Sequence, residues 1–292
     1  MDSIKNHLRA IIPREFRNWL RAPQRSLQWA WLDLKHAAGF TDTVEIRPGF
    51  SLICHPAAYR FAYHLQDSDP EQVGEFDGFV ELARRDMVLF DIGAHFGLFS
   101  LAALHYGGPG ARAVAVDPSP TAIRMTKAQA RLNKVAGRLA VLKASVGDHN
   151  GLRQMVAVGV IASGYYVSPS EDHTSNELSV TQAVTVDELV NIYSLKPTHL
   201  KIDVEGDEAA VLRGAARTLS TENAPLVFLE LHNQIVIERG GDPNEALNLL
   251  SGYGYKNAFD DRDFEADDVL RKEIVRIVAR KPTASPGPIC EP

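Results

Sequence analysis

Two glycines and an acidic residue stand together after an apolar run that begins at Met87. The segment consists of Asp91, Ile92, Gly93, Ala94, His95, Phe96 and Gly97. Glycine permits a sharp turn from strand to helix and lets the backbone approach a ligand closely. A loop that binds a pyrophosphate is expected to have the third glycine of the dinucleotide fingerprint and to present the unpaired N–H groups of a helix start. The acid at position 91 instead predicts a loop that binds a cationic, amino-bearing ligand.

Polar residues also follow the next two apolar runs. Asp117 and Pro118 come after residues 114–116, and a carboxylate at such a strand end can accept hydrogen bonds from ribose hydroxyls. NAD enzymes use an acid in the same way, whereas S-adenosylmethionine carries an ammonium and a sulfonium and no phosphate. The acid in the first loop therefore favours S-adenosylmethionine. In the third loop, Ser145 or Asp148 could bind the adenine amine, although turn chemistry explains Asp148 equally well.

Charged residues alternate in the phrase KIDVEG, so an extended strand would place Lys201, Asp203 and Glu205 on one side. Three charges in a central strand are costly to bury unless they lie at its open end and pair or bind something. The next apolar run ends with Glu230 and His232, which share a side by the same periodicity. The sequence therefore predicts that two neighbouring strand ends present carboxylates and an imidazole to one pocket.

This group of residues suits methyl transfer from a sulfonium to an oxygen. Such a displacement needs the acceptor held in line with the methyl group, water excluded and the acceptor proton removed. Our hypothesis is that Asp203 or Glu205, together with His232, acts on the acceptor oxygen, and that Lys201 orients a carboxylate. A structural ion-pair cluster would explain the same charges. An oxygen-ligated divalent metal is a further alternative, but no dedicated ligand spacing stands out, and we predict no metal site.

Apolar strands that alternate with helices predict a largely parallel sheet covered on both faces. We expect strands at 87–92, 112–116, 139–143, 199–204, 226–231, 255–259 and 274–279. We expect helices at 98–106, 120–132, 186–192, 208–219 and 243–250. Strands near 155–160 and 178–184 flank a Ser-rich stretch that we interpret as an inserted hairpin or lid. Right-handed crossovers place the loops after the parallel strands along one edge, where ligands bind.

The N-terminal part differs in composition from the rest. Every tryptophan lies within residues 1–40, which carry an excess of basic residues, and Pro13 and Pro23 divide this segment into short helical pieces. We interpret the segment as a helical arm on the main domain or, alternatively, as a basic aromatic surface for an anionic membrane or a partner enzyme. Two short strands around a turn at 48–49 and a helix over 70–85 are expected to follow.

Composition narrows the class of protein. The chain has 292 residues and a net charge of −6, so it lacks a global basic field and we predict no nucleic-acid partner. Cys54 and Cys290 suggest no disulfide framework, and no apolar run approaches the roughly 20 residues that span a bilayer. We expect a reduced, soluble, cytoplasmic protein. Its parts are an N-terminal cap at 1–84, a catalytic domain at 85–281 and a disordered tail at 282–292.

Six phrases together resemble the FkbM-type methyltransferases. They are DIGAHFGLFS at 91–100, AVDPSP at 115–120, KASVGDHNG at 143–151, VTVDEL at 184–189, LKIDVEGDEAAVLRGA at 200–215 and PLVFLELH at 225–232. The resemblance covers roughly residues 85–260. It implies a Rossmann-like, doubly wound, mostly parallel seven-stranded sheet of the class I methyltransferase type, here with an N-terminal helical extension. It also implies S-adenosylmethionine as donor and O-methylation of a sugar, glycan or secondary metabolite.

The resemblance assigns roles by position. The cofactor loop is matched by Asp91, Gly93 and Gly97, the ribose acid by Asp117, and the family signature by Asp203, Glu205 and Gly206. Two residues depart from the family pattern, since the loop usually has Asn at position 95 and the ribose acid is usually Glu. Because Asp is shorter by one methylene, the ribose contact of Asp117 is expected to be adjusted or bridged by water.

Two alternatives share parts of this pattern. An NAD(P)-dependent oxidoreductase would have the doubly wound sheet and Asp117, but it should show the third glycine and a proton-relay pair such as Tyr with Lys. A non-catalytic binding module would keep the cofactor fold and serve a partner through residues 1–40. The presence of Asp203, Glu205 and His232 argues against the binding module.

Overall fold

The computed structural model describes residues 27–61, 70–156, 165–166, 178–264 and 272–282. The chain forms two compact units, residues 1–64 and residues 65–292. The helix predicted from residue 70 belongs to the larger unit, although the sequence-based division placed it in the N-terminal part. The predicted arm up to residue 26, most of the Ser-rich stretch and the tail from residue 283 lie outside the described residues.

The smaller unit contains a helix and a hairpin. Residues 27–37 form helix α1, and strands β1 (Asp42–Arg47) and β2 (Phe50–Cys54) and helix α2 (Pro56–Phe61) follow. Strands β1 and β2 pair antiparallel, which confirms the predicted hairpin. Trp29 is buried whereas Trp31 is exposed, so the aromatic residues of α1 do not all pack inward.

Strands and helices alternate through most of the larger unit. The strands are β3 (Val88–Ile92), β4 (Arg112–Asp117), β5 (Leu139–Lys143), β6 (Ser145–Val146), β7 (Gly151–Val156), β8 (Tyr165–Tyr166), β9 (Leu178–Val184), β10 (His199–Ile202), β11 (Leu226–His232), β12 (Lys256–Asn257) and β13 (Ile274–Arg280). The helices are α3 (Pro70–Glu81), α4 (Leu98–Tyr106), α5 (Pro120–Leu132), α6 (Val186–Tyr193), α7 (Glu208–Arg213), α8 (Ala216–Leu219), α9 (Asn233–Glu238) and α10 (Asn244–Gly252). Among the described residues, no helix is long and apolar enough to span a bilayer.

A seven-stranded sheet in the order β12-β13-β11-β10-β3-β4-β5 forms the centre of the larger unit. Neighbours from β11 to β5 are parallel, whereas β13 is antiparallel to both β11 and β12. All residues of β10 and β11 are buried, as is usual for strands covered on both faces. These observations confirm the predicted Rossmann-like, mostly parallel sheet. From β3 the chain passes to β4 and β5 on one side of β3, whereas β10 and β11 lie on the other side of β3. The strand order therefore reverses at β3.

The larger unit contains a second, smaller sheet. Its strands follow the order β6-β9-β7-β8, and β7 pairs antiparallel with β9. The predicted hairpin is therefore present in the described part, although β7 begins at Gly151 rather than near residue 155. Strand β6 continues directly from the loop after β5, so this sheet borders the edge where ligands are expected.

The helix predicted over 208–219 is broken into α7 and α8. A β-carbon at Gly214 would lie 1.9 Å from the carbonyl oxygen of Gly147. Helix α7 therefore ends at a glycine because the backbone of the loop after β6 approaches it there. Local sequence does not reveal this contact, since the two glycines belong to different loops.

Candidate functional site

The glycine loop (residues 93–97) packs directly against the turn that follows β10. Gly93 has a φ of 78°, and a β-carbon there would lie 1.7 Å from the carbonyl oxygen of Asp203. The Gly93 and Ala94 amides donate to the carbonyl oxygen of Val116 at 2.9 and 3.1 Å. Gly97 also has a φ of 78°. The loop therefore needs its glycines for backbone conformation and for contact with the neighbouring loop.

Replacing Gly93 by alanine should destabilise the domain. A methyl group would collide with the Asp203 backbone, and the positive φ adds strain, so we expect a loss of at least about 2 kcal/mol in the free energy of unfolding. Urea denaturation measures this loss. Gly74→Ala is the matched control, because Gly74 is exposed in helix α3 with no heavy atom within 4 Å, and alanine should stabilise that helix slightly. Equal unfolding midpoints for Gly93→Ala and the unchanged chain would contradict this account of the loop.

Asp117 connects the glycine loop to the end of β4. Its Oδ2 accepts from the His95 amide and its Oδ1 accepts from the Ser119 amide, both at 2.8 Å. His95 has a φ of 48°, in the left-handed region where Asn, Asp and His are enriched among non-glycine residues. This accounts for the usual Asn at the position and shows that His95 adopts a backbone conformation that suits either residue.

Asp91 supports the start of helix α4. Its Oδ2 accepts from both the amide of Ser100, at 3.0 Å, and the Ser100 hydroxyl, at 2.6 Å. It thereby satisfies an N–H group of the first helical turn, which has no partner within the helix. Burial raises the pKa of Asp91 to about 6, against the lowering effect of the Ser100 hydrogen bond. Burial thus disfavours the charged form of Asp91, whereas the Ser100 hydrogen bond and the charge of Lys201 favour it.

A crevice opens between the loops that follow β3, β4, β5 and β10. Its lining comprises Ile92, Gly93, Val116, Pro118, Ala144, Ser145, Val146, Met155, Asp203, Val204 and Asp207. The structure thus brings together Gly93, Pro118 and Ser145, which the sequence predicted as cofactor residues, with Asp203 from the predicted catalytic group. Within the part of the chain that the structure describes, the lining contains two carboxylates and no Lys or Arg.

Asp148 lies apart from this crevice lining. Its Oδ2 is 3.2 Å from Arg213 Nη2, and its Oδ1 is 2.9 Å from His149 Nδ1. Although burial raises the pKa of Asp148, the hydrogen bonds from His149 and Arg213 lower it below its ordinary value overall. Asp148 thus forms an ion pair with Arg213, and the adenine contact proposed for it stays a prediction.

A larger cavity lies next to Gly206 and is bordered by helices α7, α9 and α10. The linings of the cavity and the crevice have Asp207 in common. The smaller crevice lies where the strand order reverses, which is the usual position of ligands in doubly wound sheets.

Lys201 and Glu230 belong to an ion-pair cluster that also contains Glu75 and Arg276. Lys201 Nζ lies 2.9 Å from Glu75 Oε1 and 3.6 Å from Glu230 Oε2. Arg276 Nη2 lies 2.7 Å from Glu230 Oε1, and its Nε lies 3.4 Å from Glu75 Oε2. Lys201 is only 2% exposed. Burial by itself lowers the pKa of Lys201, but the neighbouring carboxylates, first that of Glu75, raise it above its ordinary value.

Lys201 and Glu230 are paired within this cluster, and Lys201 Nζ also lies 4.0 Å from Asp203 Oδ2, so the role of Lys201 in orienting a carboxylate and the catalytic role of Glu230 stay predictions. Both charges are partly neutralised within the cluster, and Lys201 is deeply buried. Sequence reasoning missed Glu75 and Arg276 because they come from α3 and β13, far from the KIDVEG phrase. No pattern in the sequence pairs those distant positions.

His232 lies at the end of β11 with its two nitrogens in different surroundings. Nδ1 is 2.8 Å from Glu208 Oε1, whereas Nε2 is 3.8 Å from Asp203 Oδ1. Burial by itself lowers the pKa of His232, but the Glu208 carboxylate and then the charge of Asp203 raise it above its ordinary value. Sequence reasoning missed Glu208, although an acid two residues after Gly206 at a helix start was a visible signal.

Glu205 lies on the turn between β10 and α7 with a φ of 52°. Burial and then the charge of Asp203 raise its pKa above the ordinary value. The left-handed backbone means that the alternation Lys201, Asp203, Glu205 does not continue as a regular strand to position 205. Both carboxylates that the sequence proposed as a base are partly exposed, and 37% of the Asp203 side chain is accessible.

Oxygen and nitrogen atoms of Asp203, Glu230 and His232 lie within 4.8 Å of one another, a spacing that could hold a metal ion. Glu230 is already neutralised by Lys201 and Arg276. Because a cation there would compete with two resident positive charges, we assign no metal to this group.

The strand order, the crevice at its reversal and the glycine loop define a Rossmann-like protein of the class I methyltransferase type. The chain belongs to the Methyltransferase FkbM domain family, whose match covers residues 91–256, more than half of the chain. This membership favours the methyltransferase interpretation over the nicotinamide-dependent alternative.

Two characterised proteins are similar to the chain. The hexuronic acid methyltransferase AglP of Haloferax volcanii is 29% identical over 175 residues, which cover 59% of this chain and 64% of that protein. The 31-O-demethyl-FK506 methyltransferase FkbM of Streptomyces tacrolimicus is 27% identical over 204 residues, covering 60% and 75% respectively. The chain therefore spans less than two thirds of the length of the first relative.

Solved structures show a weaker similarity. Methyltransferase FkbM from Methylobacillus flagellatus superposes with a TM-score of 0.40 at 16% identity, over 62% of this chain and 44% of that chain. An O-methyltransferase from Bacillus cereus in complex with SAH gives a TM-score of 0.38 at 13% identity, over 67% and 74%.

Proposed function

We propose that this protein transfers a methyl group from S-adenosylmethionine to a hydroxyl oxygen of a sugar, glycan or other hydroxylated metabolite. The observation that carries the proposal is the crevice at the sheet reversal. Its described lining contains the carboxylates of Asp203 and Asp207, of which Asp207 lies 3.5 Å from Arg153 Nη1, and it contains no Lys or Arg. A diphosphate cofactor would need positive or N–H-rich surroundings, whereas a sulfonium and an ammonium are favoured next to carboxylates. The names of the two relatives, a hexuronic acid methyltransferase and a 31-O-demethyl-FK506 methyltransferase, support this class of reaction.

The proposed cofactor contacts come from loops that the fold holds rigidly. Backbone groups of the glycine loop would border the donor, and Ser145 would border its adenine. Asp117 is proposed as the ribose acid. A carboxylate has about four acceptor sites, so the two backbone bonds of Asp117 are compatible with ribose contacts. The charge of Asp91, one loop away, would favour the ammonium group.

The proposed catalytic contacts come from the ends of β10 and β11. S-adenosylmethionine, when bound, supplies a methyl group on a sulfonium. His232 Nε2 and the Asp203 carboxylate lie 3.8 Å apart and are the proposed groups that orient the acceptor hydroxyl and take its proton. Glu205, on the same turn, contributes negative charge near that position. Burial of His232 restricts water at the reacting oxygen.

Ligand-dependent thermal stability provides a direct test of the cofactor. S-adenosylhomocysteine at about one hundred times its Kd should stabilise the folded chain by about 2.7 kcal/mol, while NAD and NADP should leave the melting temperature unchanged. Differential scanning calorimetry measures the three shifts. Stabilisation by the nicotinamides alone would overturn the proposal. A radiolabelled methyl-transfer screen over glycans and hydroxylated metabolites would then identify the acceptor.

A cytoplasmic location and a membrane or partner-enzyme contact through residues 1–40 also stay proposals. The contact is supported by the basic, Trp-rich composition of that segment, and the location is supported by a cysteine content that suggests no disulfide framework. Co-sedimentation with anionic liposomes, with and without residues 1–40, tests the membrane contact. Equal binding of the two forms would contradict it.

A further inference from the structure

A buried acid next to His232 was absent from the predicted site. Glu208 is 1% exposed and lies in the first turn of α7. Its Oε1 accepts a hydrogen bond from the Gly206 amide at 2.9 Å and lies 2.8 Å from His232 Nδ1. One carboxylate oxygen therefore fixes both the turn after β10 and the imidazole at the end of β11.

The contact with Glu208 determines which nitrogen of His232 carries a proton. An ionised carboxylate can only accept, so Nδ1 must donate, and the lone pair of the neutral ring then lies on Nε2. The partners facing Nε2 are Asp203 Oδ1 at 3.8 Å and Glu230 Oε1 at 3.9 Å, both beyond hydrogen-bond distance. The basic nitrogen thus faces the acidic loop after β10.

We propose that Glu208 is a positioning residue, which holds His232 in the Nδ1–H form so that Nε2 takes the proton of the acceptor hydroxyl. This inference rests on the proposed function. In the step, the O–H bond of the acceptor breaks as an Nε2–H bond forms. The oxygen gains the methyl group while the S–CH₃ bond breaks, and its electron pair stays on sulfur as a neutral thioether. The positive charge passes to the imidazolium, which the Glu208 carboxylate stabilises.

The charged surroundings of His232 fix the expected pH dependence. Carboxylates of Glu208, Asp203, Glu230 and Glu205 face the ring, and the cations Lys201 and Arg276 are engaged with Glu230. Because these acids favour the protonated ring, the basic form accumulates only above the raised pKa of His232. We therefore expect kcat to rise with pH through that pKa. Removing the charge of Glu208 should move this rise to lower pH.

The test compares Glu208→Gln with the unchanged full-length chain. Glutamine keeps the size of the side chain but removes its charge. We expect the pKa of His232, followed by NMR of ¹³C-labelled histidine, to fall by about one unit or more. We also expect kcat to fall at least about tenfold with little change in KM, as for other groups that orient a histidine. Glu238→Gln is the matched control, because Glu238 is an exposed acid on the adjacent helix α9.

The outcomes separate positioning from a merely structural role. If Glu208→Gln lowers stability but leaves the His232 titration and the pH profile of kcat unchanged, the proposal is overturned. If Glu208→Gln does not fold, Glu208→Asp, which keeps the charge, should give a raised His232 pKa together with a reduced kcat. If the pKa of His232 in Glu208→Asp is not raised above its ordinary value, the proposal is also overturned. If Glu208→Gln lowers the pKa of His232 but the unchanged chain methylates no acceptor, Glu208 still controls the protonation of His232. In that case only the proposed function is overturned.

Discussion

Replacing His232 by alanine is expected to lower kcat by about 10²- to 10⁴-fold, the usual range for loss of a general base. The imidazole is the proposed proton acceptor, with Nε2 facing the loop that contains Asp203. Binding of S-adenosylhomocysteine should be unchanged, because His232 does not line the cofactor crevice in the described structure. Single-turnover kinetics with a labelled methyl donor and calorimetric titration measure the two quantities separately.

His105→Ala provides the control for this substitution. His105 is an exposed histidine in the last turn of α4, so its loss should leave both turnover and cofactor binding near the unchanged values. Turnover of His232→Ala within threefold of the unchanged chain would exclude His232 as the base. The base would then be sought among the carboxylates of Asp203 and Glu205, as the alternation in the sequence first suggested.

Replacing Lys201 by methionine is expected to cost about 3–5 kcal/mol in the free energy of unfolding, which is the usual loss when one partner of a buried ion pair is removed. Methionine has a similar length and keeps the packing, but it leaves Glu75 and Glu230 buried with only Arg276 as a counter-charge. Urea denaturation at neutral pH measures the loss, and the folded Lys201 is fully protonated there because its pKa is raised.

Lys272→Met is the matched control. Lys272 pairs with Glu71 at 2.8 Å, but both side chains are about half exposed, so removing this pair should change stability by at most about 1 kcal/mol. Similar losses for the two lysine variants would contradict the structural importance of the buried cluster. A Lys201→Met chain with unchanged stability and no turnover would instead support the role in orienting a carboxylate that the sequence predicted for Lys201.

The arrangement of the sheet could be predicted because its pattern is local. Most of the parallel strands are apolar runs, and each is followed by a polar or glycine-containing loop that a short window of sequence reveals. Helices α4 and α5 were predicted with the bounds that the structure shows, and the Ser119 side chain caps α5 by accepting from the Ala122 amide. Element ends were less exact where tertiary contacts decide them, as at Gly214.

The sequence by itself determined the doubly wound fold, the glycine loop and the acids at the strand ends, since all of these follow from residue type and spacing along one strand and its loop. Only the tertiary structure decided which charges meet. It paired Lys201 with Glu75 and placed Glu208 Oε1 within 2.8 Å of His232 Nδ1. It also engaged Asp148 with Arg213. The physical reason is that a side chain's partner depends on how separate helices and strands pack together, and no periodicity within a single element records that packing.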